Sequence, residues 1–191
     1  MRAEVDFVAH AVPSMMPPPT EEGALVVSSI GFGVRPYDSA TDAAALRAAF
    51  VELQDAERAL DPHMPRGEDV ADVYLERLLE QCAQMDGQIY VSVDAETGAV
   101  AGYVAVLGEM ESIEPDDDPA PYAYLSDLVV LENYRGRGIA SQLADAAERH
   151  ARALGMSRIR LQVLARNVGA RRLYERAGYE DHIVQMEKRL T

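Results

Sequence analysis

The feature that most constrains the fold is an apolar run that leads through a glycine- and arginine-rich turn into a helical pattern. The run is YAYLSDLVVLE, and the turn YRGRGIA spans Tyr134 to Ala140. Beyond the turn, residues recur at helical spacing until Gly155 ends the pattern. The members of this stripe are Ile139, Leu143, Ala146, Ala147, His150 and Leu154. A strand, a tight turn and a helix are therefore predicted in succession.

Other strands and helices are predicted before this unit. GFGVRPY is typical of a short strand, and QIYVSVDAETGAVAGYVAVL alternates apolar and polar residues around AETG, which indicates an antiparallel hairpin. Two helical stripes lie between these segments. Their members are Leu46, Phe50, Leu53 and Leu60 in the first helix, and Tyr74, Leu78, Cys82 and Met85 in the second.

Three more elements are predicted after the unit. SRIRLQVLA alternates as a strand, NVGARRLYERAG is typical of a short helix between Asn167 and Gly178, and YEDHIVQMEKRL is predicted as a final strand. Residues 1–30 differ in composition, since Pro13 and the prolines at 17–19 exclude a helix there. We expect residues 1–30 to form an extension that is either flexible or packed on a sheet edge or a partner, and residues 31–191 to form one domain.

Charge and cysteine content exclude several classes of protein. With 32 acidic against 18 basic residues the net charge is -14, which disfavours nucleic acid and anionic membranes as partners. The acidity favours a cationic substrate, or it serves only solubility. The sequence shows no apolar segment long enough for a membrane span and no targeting signal. A single cysteine, Cys82, lies on a helical stripe as a core residue, so we expect a cytoplasmic protein without a metal cluster.

The turn itself is a candidate anion site. Gly136 and Gly138 can adopt backbone conformations closed to other residues, and the following helix begins with backbone N–H groups aimed at one spot. Arg135 and Arg137 add positive charge. The alternative is a plain turn flanked by solvated arginines. A Walker loop is absent, and a dinucleotide-binding turn fits poorly because Ser141 stands where a third glycine belongs.

The wider pattern closely resembles the GNAT superfamily of N-acetyltransferases. LVVLENYRGRGIA contains R-x-x-G-x-A at Arg135–Ala140, and NVGARRLYERAGY contains N-x-x-A-x-x-L-Y at Asn167–Tyr174. The resemblance covers about residues 31–190 in element order. It implies an α+β, α/β/α layered fold, with a mixed, mostly antiparallel central sheet flanked by helices. It also implies that this sheet is splayed between the fourth and fifth strands, where acetyl-CoA inserts as cosubstrate.

The resemblance also assigns the cofactor-binding residues. The main chain of Arg135, Gly136, Arg137, Gly138, Ile139 and Ala140 would hold the pyrophosphate. The main chain of Leu128, Val129 and Val130 would pair with the pantetheine arm, and Asn167 and Tyr174 would contact the same cofactor. No metal is implied, and a homodimer is expected.

Two side chains are candidates for catalysis. Alternation along the strand places Asp127 on one face with Leu125 and Val129, an apolar setting that raises a carboxylate pKa. Asp127 is therefore a candidate base or amine-binding anion. Because Ser126 stands where some relatives carry a carboxylate, Asp127 could bind the ammonium and leave water to relay the proton; a structural Asp bonded to nearby backbone is the alternative. The family uses a tyrosine as the acid that protonates the departing thiolate, and Tyr174 occupies that position. The alternative for Tyr174 is a core residue.

The resulting interpretation is an acetyl-CoA-dependent N-acetyltransferase. The acceptor would be a primary amine, on a small molecule, attacking directly in a ternary complex. An oxyanion donor would come from the main chain near Leu128. Three alternatives stay open: an acyl-CoA-binding sensor without turnover, a protein N-terminal or lysine acetyltransferase, and a nucleotide-binding oxidoreductase that uses the same glycine turn.

Overall fold

A six-stranded sheet with helices on both faces organises the chain. The computed structural model describes residues 26–27, 31–111, 116 and 118–190. Strand neighbours follow chain order from β1 to β6. The strands are β1 (Val26–Val27), β2 (Phe32–Pro36), β3 (Gln88–Asp94), β4 (Val100–Met110), β5 (Tyr122–Val130) and β6 (Ile159–Leu161). The helices are α1 (Ser39–Leu60), α2 (Gly67–Gln84), α3 (Ile139–Ala153) and α4 (Val168–Arg176).

The sheet is mixed and mostly antiparallel, which confirms the predicted fold class. Each neighbouring pair from β1 to β5 runs antiparallel, and β5 and β6 run parallel. The parallel pair follows from the α3 crossover, since a helix between two strands returns the chain in the same direction. Helices α1 and α2 pack on one face and α3 on the other, so the sheet has a core on each side.

The sheet splays between β5 and β6, the fourth and fifth strands predicted from the sequence. Only three residue pairs join them: Ala123 with Ile159, Tyr124 with Arg160, and Leu125 with Leu161. Beyond this point β5 continues to Val130 and pairs with β4 alone. The second half of β5 therefore has one sheet edge without a strand partner among the described residues.

A β-bulge at Ser126 corrects the predicted face of Asp127. One step along β4, from Ala105 to Val106, corresponds to two steps along β5, from Asp127 to Leu125. The extra residue reverses the alternation of side chains. Leu125 consequently packs in the α3-side core, whereas Val129 packs in the α1-side core. The prediction that Asp127 shares a face with Leu125 was wrong for this reason, and its pairing with Val129 holds.

The end of the chain also differs from the prediction. The strand predicted over SRIRLQVLA is only three residues long, and residues 179–190 form no strand at all. A β6 of three residues provides few backbone hydrogen-bonding groups for a further strand. The tail is instead joined to the domain by side-chain ion pairs: Arg171 with Asp181 at 3.0 Å, and Arg189 with Asp61 at 3.8 Å. Apolar tail residues stay exposed, including Ile183 at 74% and Met186 at 90%.

The predicted N-terminal extension falls largely outside the described residues. Val26–Val27 alone is described, and it pairs with β2 at the edge of the sheet. Within the described part of the chain, no helix combines the length and apolar character that crossing a membrane requires.

Candidate functional site

The glycine-rich turn lies at the open end of β5. A 3-10 turn, Glu132–Tyr134, leaves the strand, and α3 begins at Ile139. Gly136 and Gly138 both adopt left-handed backbone conformations, with φ of 75° and 79°. Side chains other than glycine rarely adopt that conformation, so both positions require glycine. The predicted turn therefore exists, and the backbone geometry explains its two glycines.

The N-terminus of α3 is open to a ligand. Gly138 caps the helix without any side-chain hydrogen bond, and the first turn contains no acidic residue. A Cβ atom added at Gly136 would meet nothing within 4 Å, so the turn surface is accessible. The first backbone N–H groups of a helix lack intrahelical partners and carry partial positive charge. The residues present thus fit a diphosphate group.

Arg135 braces the turn rather than pointing away from it. Its Nε donates to the carbonyl oxygen of Val130 at 2.9 Å, and its guanidinium donates to Glu52 Oε1 at 2.7 Å. The same Glu52 oxygen accepts from the backbone N–H of Glu132 at 2.8 Å. One carboxylate on α1 therefore fixes both the start of the 3-10 turn and the first residue of the R-x-x-G-x-A motif.

Arg137 lies against aromatic rings. Its guanidinium carbon is 5.6 Å from the ring centroid of Tyr134 and 6.0 Å from that of Phe32, and it donates to the carbonyl oxygen of Asn133 at 3.2 Å. Cation–π contacts of this length hold an arginine in place without neutralising its charge. Of the two motif arginines, Arg137 is the one that makes no ion pair with a carboxylate of a described residue.

Asp127 is a buried carboxylate held by two tyrosines. It is 6% exposed, its Oδ1 accepts from the Tyr74 hydroxyl at 2.7 Å, and its Oδ2 accepts from the Tyr103 hydroxyl at 3.2 Å. Burial raises the pKa of Asp127 to about 6, although both hydrogen bonds act to lower it. No cation pairs with Asp127 among the described residues. Each of its oxygens accepts one tyrosine hydroxyl, and the group is almost fully buried, so a ligand reaches it through Tyr74 more readily than directly.

Tyr74 connects α2 to this carboxylate. Its ring stacks on Phe50 of α1, with centroids 4.3 Å apart, and its hydroxyl also lies 3.4 Å from the Ser126 hydroxyl at the bulge. Burial first, then the charge of Asp127, raises the pKa of Tyr74 well above its usual value. The Tyr74 oxygen therefore stays protonated and can accept a hydrogen bond while it donates to Asp127.

Tyr174 lies on α4, at 9% exposure. Its ring meets that of Tyr179 edge to face, with centroids 5.6 Å apart. Burial, then the negative charges of Glu57 and Asp127, raises the pKa of Tyr174 to about 12. Its hydroxyl has no hydrogen-bond partner within the part of the chain that the structure describes. A protonated phenol with an unused donor is suited to act as an acid.

Asn167 takes a structural position at the start of α4. It is the N-cap residue, and its Oδ1 accepts from the backbone N–H of Ala170 at 3.1 Å. Capping by asparagine stabilises a helix by about 1 kcal/mol. The motif thus fixes the beginning of the helix that carries Tyr174, while any contact between Asn167 and a cofactor stays a prediction.

Sequence reasoning missed four residues that shape the site. Glu52 and Glu57 lie on α1, Tyr74 belongs to the predicted helical stripe of α2, and Tyr103 belongs to a strand of the predicted hairpin. Glu57 follows Phe50 by seven residues, which is two helical turns, and this spacing was the available signal. The interpretation of Cys82 as a core residue is confirmed, since the thiol is buried and burial raises its pKa to about 11.

Two comparisons bear on the family and activity of this chain. The model of the acetyltransferase (GNAT) family matches residues 50–179. The uncharacterized N-acetyltransferase YycN of Bacillus subtilis (strain 168) is 39% identical over 77 residues, which span 40% of this chain and 49% of YycN. That match therefore covers about half the length of the relative.

Two solved structures share the fold. A tetramutant of the BH1408 protein of Bacillus halodurans is 21% identical, with a TM-score of 0.71 over 82% of this chain and 99% of that one. The aminoglycoside N-acetyltransferase AAC(6')-Iy in complex with CoA is 20% identical, with a TM-score of 0.59 over 83% of this chain and 95% of that one. At these identities the likeness concerns the fold alone.

Proposed function

The chain belongs to the GNAT acetyltransferase family, and we propose that it transfers the acetyl group of acetyl-CoA to a primary amine of a small molecule. The amine attacks directly in a ternary complex. The observation that carries the proposal is the separation of β5 from β6. The edge of β5 that is left open by this separation leads to the N-terminus of α3, which has no side-chain cap. A long ligand with an anionic diphosphate and an amide-bearing arm matches these two adjoining features.

The cofactor side would use main-chain groups. The amides of the turn from Arg135 to Ala140 would hold the diphosphate, and the edge of β5 from Leu128 to Val130 would pair with the amide-bearing arm. Arg137, which keeps its positive charge, would add attraction. Acetyl-CoA supplies an activated thioester, and the protein supplies its placement. Support comes from the shared fold with an aminoglycoside N-acetyltransferase whose structure contains CoA.

The reaction needs a neutral amine. An alkylamine with a pKa of about 10 is mostly protonated at pH 7, a deficit of roughly 4 kcal/mol. After it loses one proton, the nitrogen lone pair forms a bond to the thioester carbonyl carbon. The carbon–sulfur bond then breaks and its electron pair moves to sulfur. Sulfur takes a proton, the nitrogen loses its second proton, and an amide, a free thiol and one released proton result.

Tyr174 would act on the sulfur side of this reaction. Its pKa of about 12 keeps the phenol protonated at neutral pH, and its hydroxyl has no competing partner among the described residues. It can therefore donate to the departing sulfur. On the other side, the backbone N–H near Leu128 would stabilise negative charge that develops on the carbonyl oxygen.

Asp127 would act on the amine side through Tyr74. Its pKa of about 6 leaves the carboxylate ionised at pH 7, and it accepts a hydrogen bond from the Tyr74 hydroxyl at 2.7 Å. This bond orients the Tyr74 oxygen, whose remaining lone pair can accept from the acceptor ammonium. No acyl-enzyme step is included, because the Cys82 thiol is buried with its pKa raised to about 11.

Thiol release tests the proposal. The purified protein is incubated with acetyl-CoA and a panel of amines: neamine, putrescine, glucosamine-6-phosphate and a peptide with a free N-terminus. We expect free thiol and one equivalent of acetylated product with at least one of the three small amines. Turnover of the peptide alone would overturn the small-molecule acceptor. Thermal protection by coenzyme A without thiol release from any amine would identify a sensor instead.

Glu52→Gln tests the brace on the turn. Removing one partner of this half-exposed ion pair should raise the KM for acetyl-CoA about two- to fivefold and leave kcat unchanged, because only the placement of the turn is disturbed. Steady-state kinetics in varied acetyl-CoA measures both constants. Glu68→Gln breaks a comparable pair with Arg47 between α1 and α2, and it should change neither constant. Equal effects of the two variants would remove Glu52 from this role.

A further inference from the structure

Glu57 lies on the face of α1 that is directed at the buried carboxylate. It follows Phe50 by two helical turns, so the two side chains project from the same face. Phe50 stacks on Tyr74, which donates to Asp127. The half-buried position of Glu57 agrees with this placement. The C-terminal part of α1 therefore faces the same site as Tyr74.

The C-terminal end of α1 contacts the segment just before α4, which follows β6 in the chain. The carbonyl oxygen of Leu60, the last residue of α1, accepts from the guanidinium of Arg166 at 3.1 Å. Arg166 immediately precedes Asn167, the N-cap of the helix that carries Tyr174. Helix α1 thus crosses from β5 to the start of α4, and Glu57 lies along that crossing.

The electrostatic effects of Glu57 agree with this position. Its negative charge contributes to raising the pKa of Tyr174 on α4 and also that of Asp127 on β5. The same charge contributes at Tyr74 and Tyr103. The charge of Glu57 is therefore felt at Tyr174 and at the Tyr74–Asp127 pair, the groups assigned to the sulfur and amine sides of the reaction.

The Glu57 carboxylate differs from the other acidic side chains around the site in its lack of polar contacts. No hydrogen bond or ion pair joins it to another described residue. Its neighbours on α1 are engaged: Glu52 holds Arg135, and Asp55 accepts from the backbone N–H of Gly67 at 2.8 Å. Each oxygen of Asp127 accepts a tyrosine hydroxyl and the group is almost fully buried, whereas Glu57 is only half-buried. A cationic ligand in the splay therefore meets Glu57 as the available carboxylate.

We propose that the Glu57 carboxylate binds the ammonium group of the acceptor and takes the proton that this group must lose before it attacks. The inference rests on the proposed transferase function. One nitrogen–hydrogen bond breaks, its electron pair stays on nitrogen as the attacking lone pair, and the proton moves to a Glu57 oxygen. Tyr174 then serves the sulfur side, and the substrate class narrows to amines that are cationic in solution.

Glu57→Gln tests this role. We expect kcat/KM for the preferred amine to fall about tenfold or more, since a charge-assisted hydrogen bond and a proton acceptor are both lost. The KM for acetyl-CoA should stay within twofold. Glu57→Asp should recover part of the lost activity, because it retains the carboxylate. Glu80→Gln removes the same charge from the exposed face of α2 and should leave both constants unchanged.

The possible outcomes separate the two proposals. A fully active Glu57→Gln protein, or one whose KM for acetyl-CoA rises as much as kcat/KM for the amine falls, overturns the role of Glu57 and leaves the transferase intact. If the unmodified protein releases no thiol with any amine, the transferase proposal fails. Calorimetric titration with putrescine then decides the binding role: it should give heat with the unmodified protein and none with Glu57→Gln, and equal results for the two overturn it.

Discussion

Replacing Tyr174 by phenylalanine should lower kcat about 100- to 10,000-fold, the usual contribution of a positioned acid. The ring and its packing on Tyr179 are retained, and only the hydroxyl is lost. The KM for acetyl-CoA should change little, because the hydroxyl is assigned to the departing sulfur rather than to binding. Steady-state kinetics with the preferred amine separates the two constants.

Tyr179→Phe is the matched control for this experiment. Tyr179 shares the aromatic contact with Tyr174, and its buried hydroxyl has no hydrogen-bond partner among the residues that the structure describes. Its removal should leave kcat unchanged and stability equal or slightly higher, since an unpaired buried hydroxyl is lost. If Tyr174→Phe turns over as fast as the unmodified protein, Tyr174 is a packing residue and another donor must protonate the sulfur.

Replacing Gly138 by valine should raise the KM for acetyl-CoA roughly 10- to 100-fold. Gly138 holds φ at 79°, a conformation that costs a β-branched residue about 1–3 kcal/mol. The variant turn will leave this conformation, and the binding-competent arrangement of amides becomes a minor state. Direct titration with coenzyme A, followed by calorimetry, gives the loss in affinity without requiring a known acceptor.

Gly155→Val controls for strain alone. Gly155 lies at the other end of α3, has φ of 77°, and a Cβ atom there would meet nothing within 4 Å. Both variants should lose similar stability on thermal unfolding, yet only Gly138→Val should lose affinity for coenzyme A. Similar affinities for the two variants would show that the turn does not hold the diphosphate.

The parts of the site that the sequence predicted are local in the chain. The turn from Arg135 to Ala140 and the helix that begins after Asn167 each depend on a few adjacent residues, and both form as predicted. The family resemblance built on these two motifs is confirmed by the family match. The assigned roles of Asp127 and Tyr174 stay predictions.

The parts that the sequence could not predict depend on distant partners. The tail alternates like a strand but forms none beside a β6 of only three residues, and alternation within the tail does not report the length of its neighbour. Glu52 and Glu57 look like ordinary charged positions on a long helix, because their roles arise from Arg135 and the walls of the splay. The bulge at Ser126 is likewise a property of the β4–β5 pair.

The bulge makes β5 sensitive to the count of its residues as well as to their identity. Before Ser126 the strand contributes Leu125 to the core under α3, and after it Asp127 faces the opposite side of the sheet. The single extra residue therefore reverses which side chains face each core. Shortening the strand by that residue would restore uniform alternation and turn the carboxylate towards the aliphatic layer beneath α3, away from both tyrosines. In this strand, a one-residue deletion should therefore lower the stability of the protein more than most single replacements do.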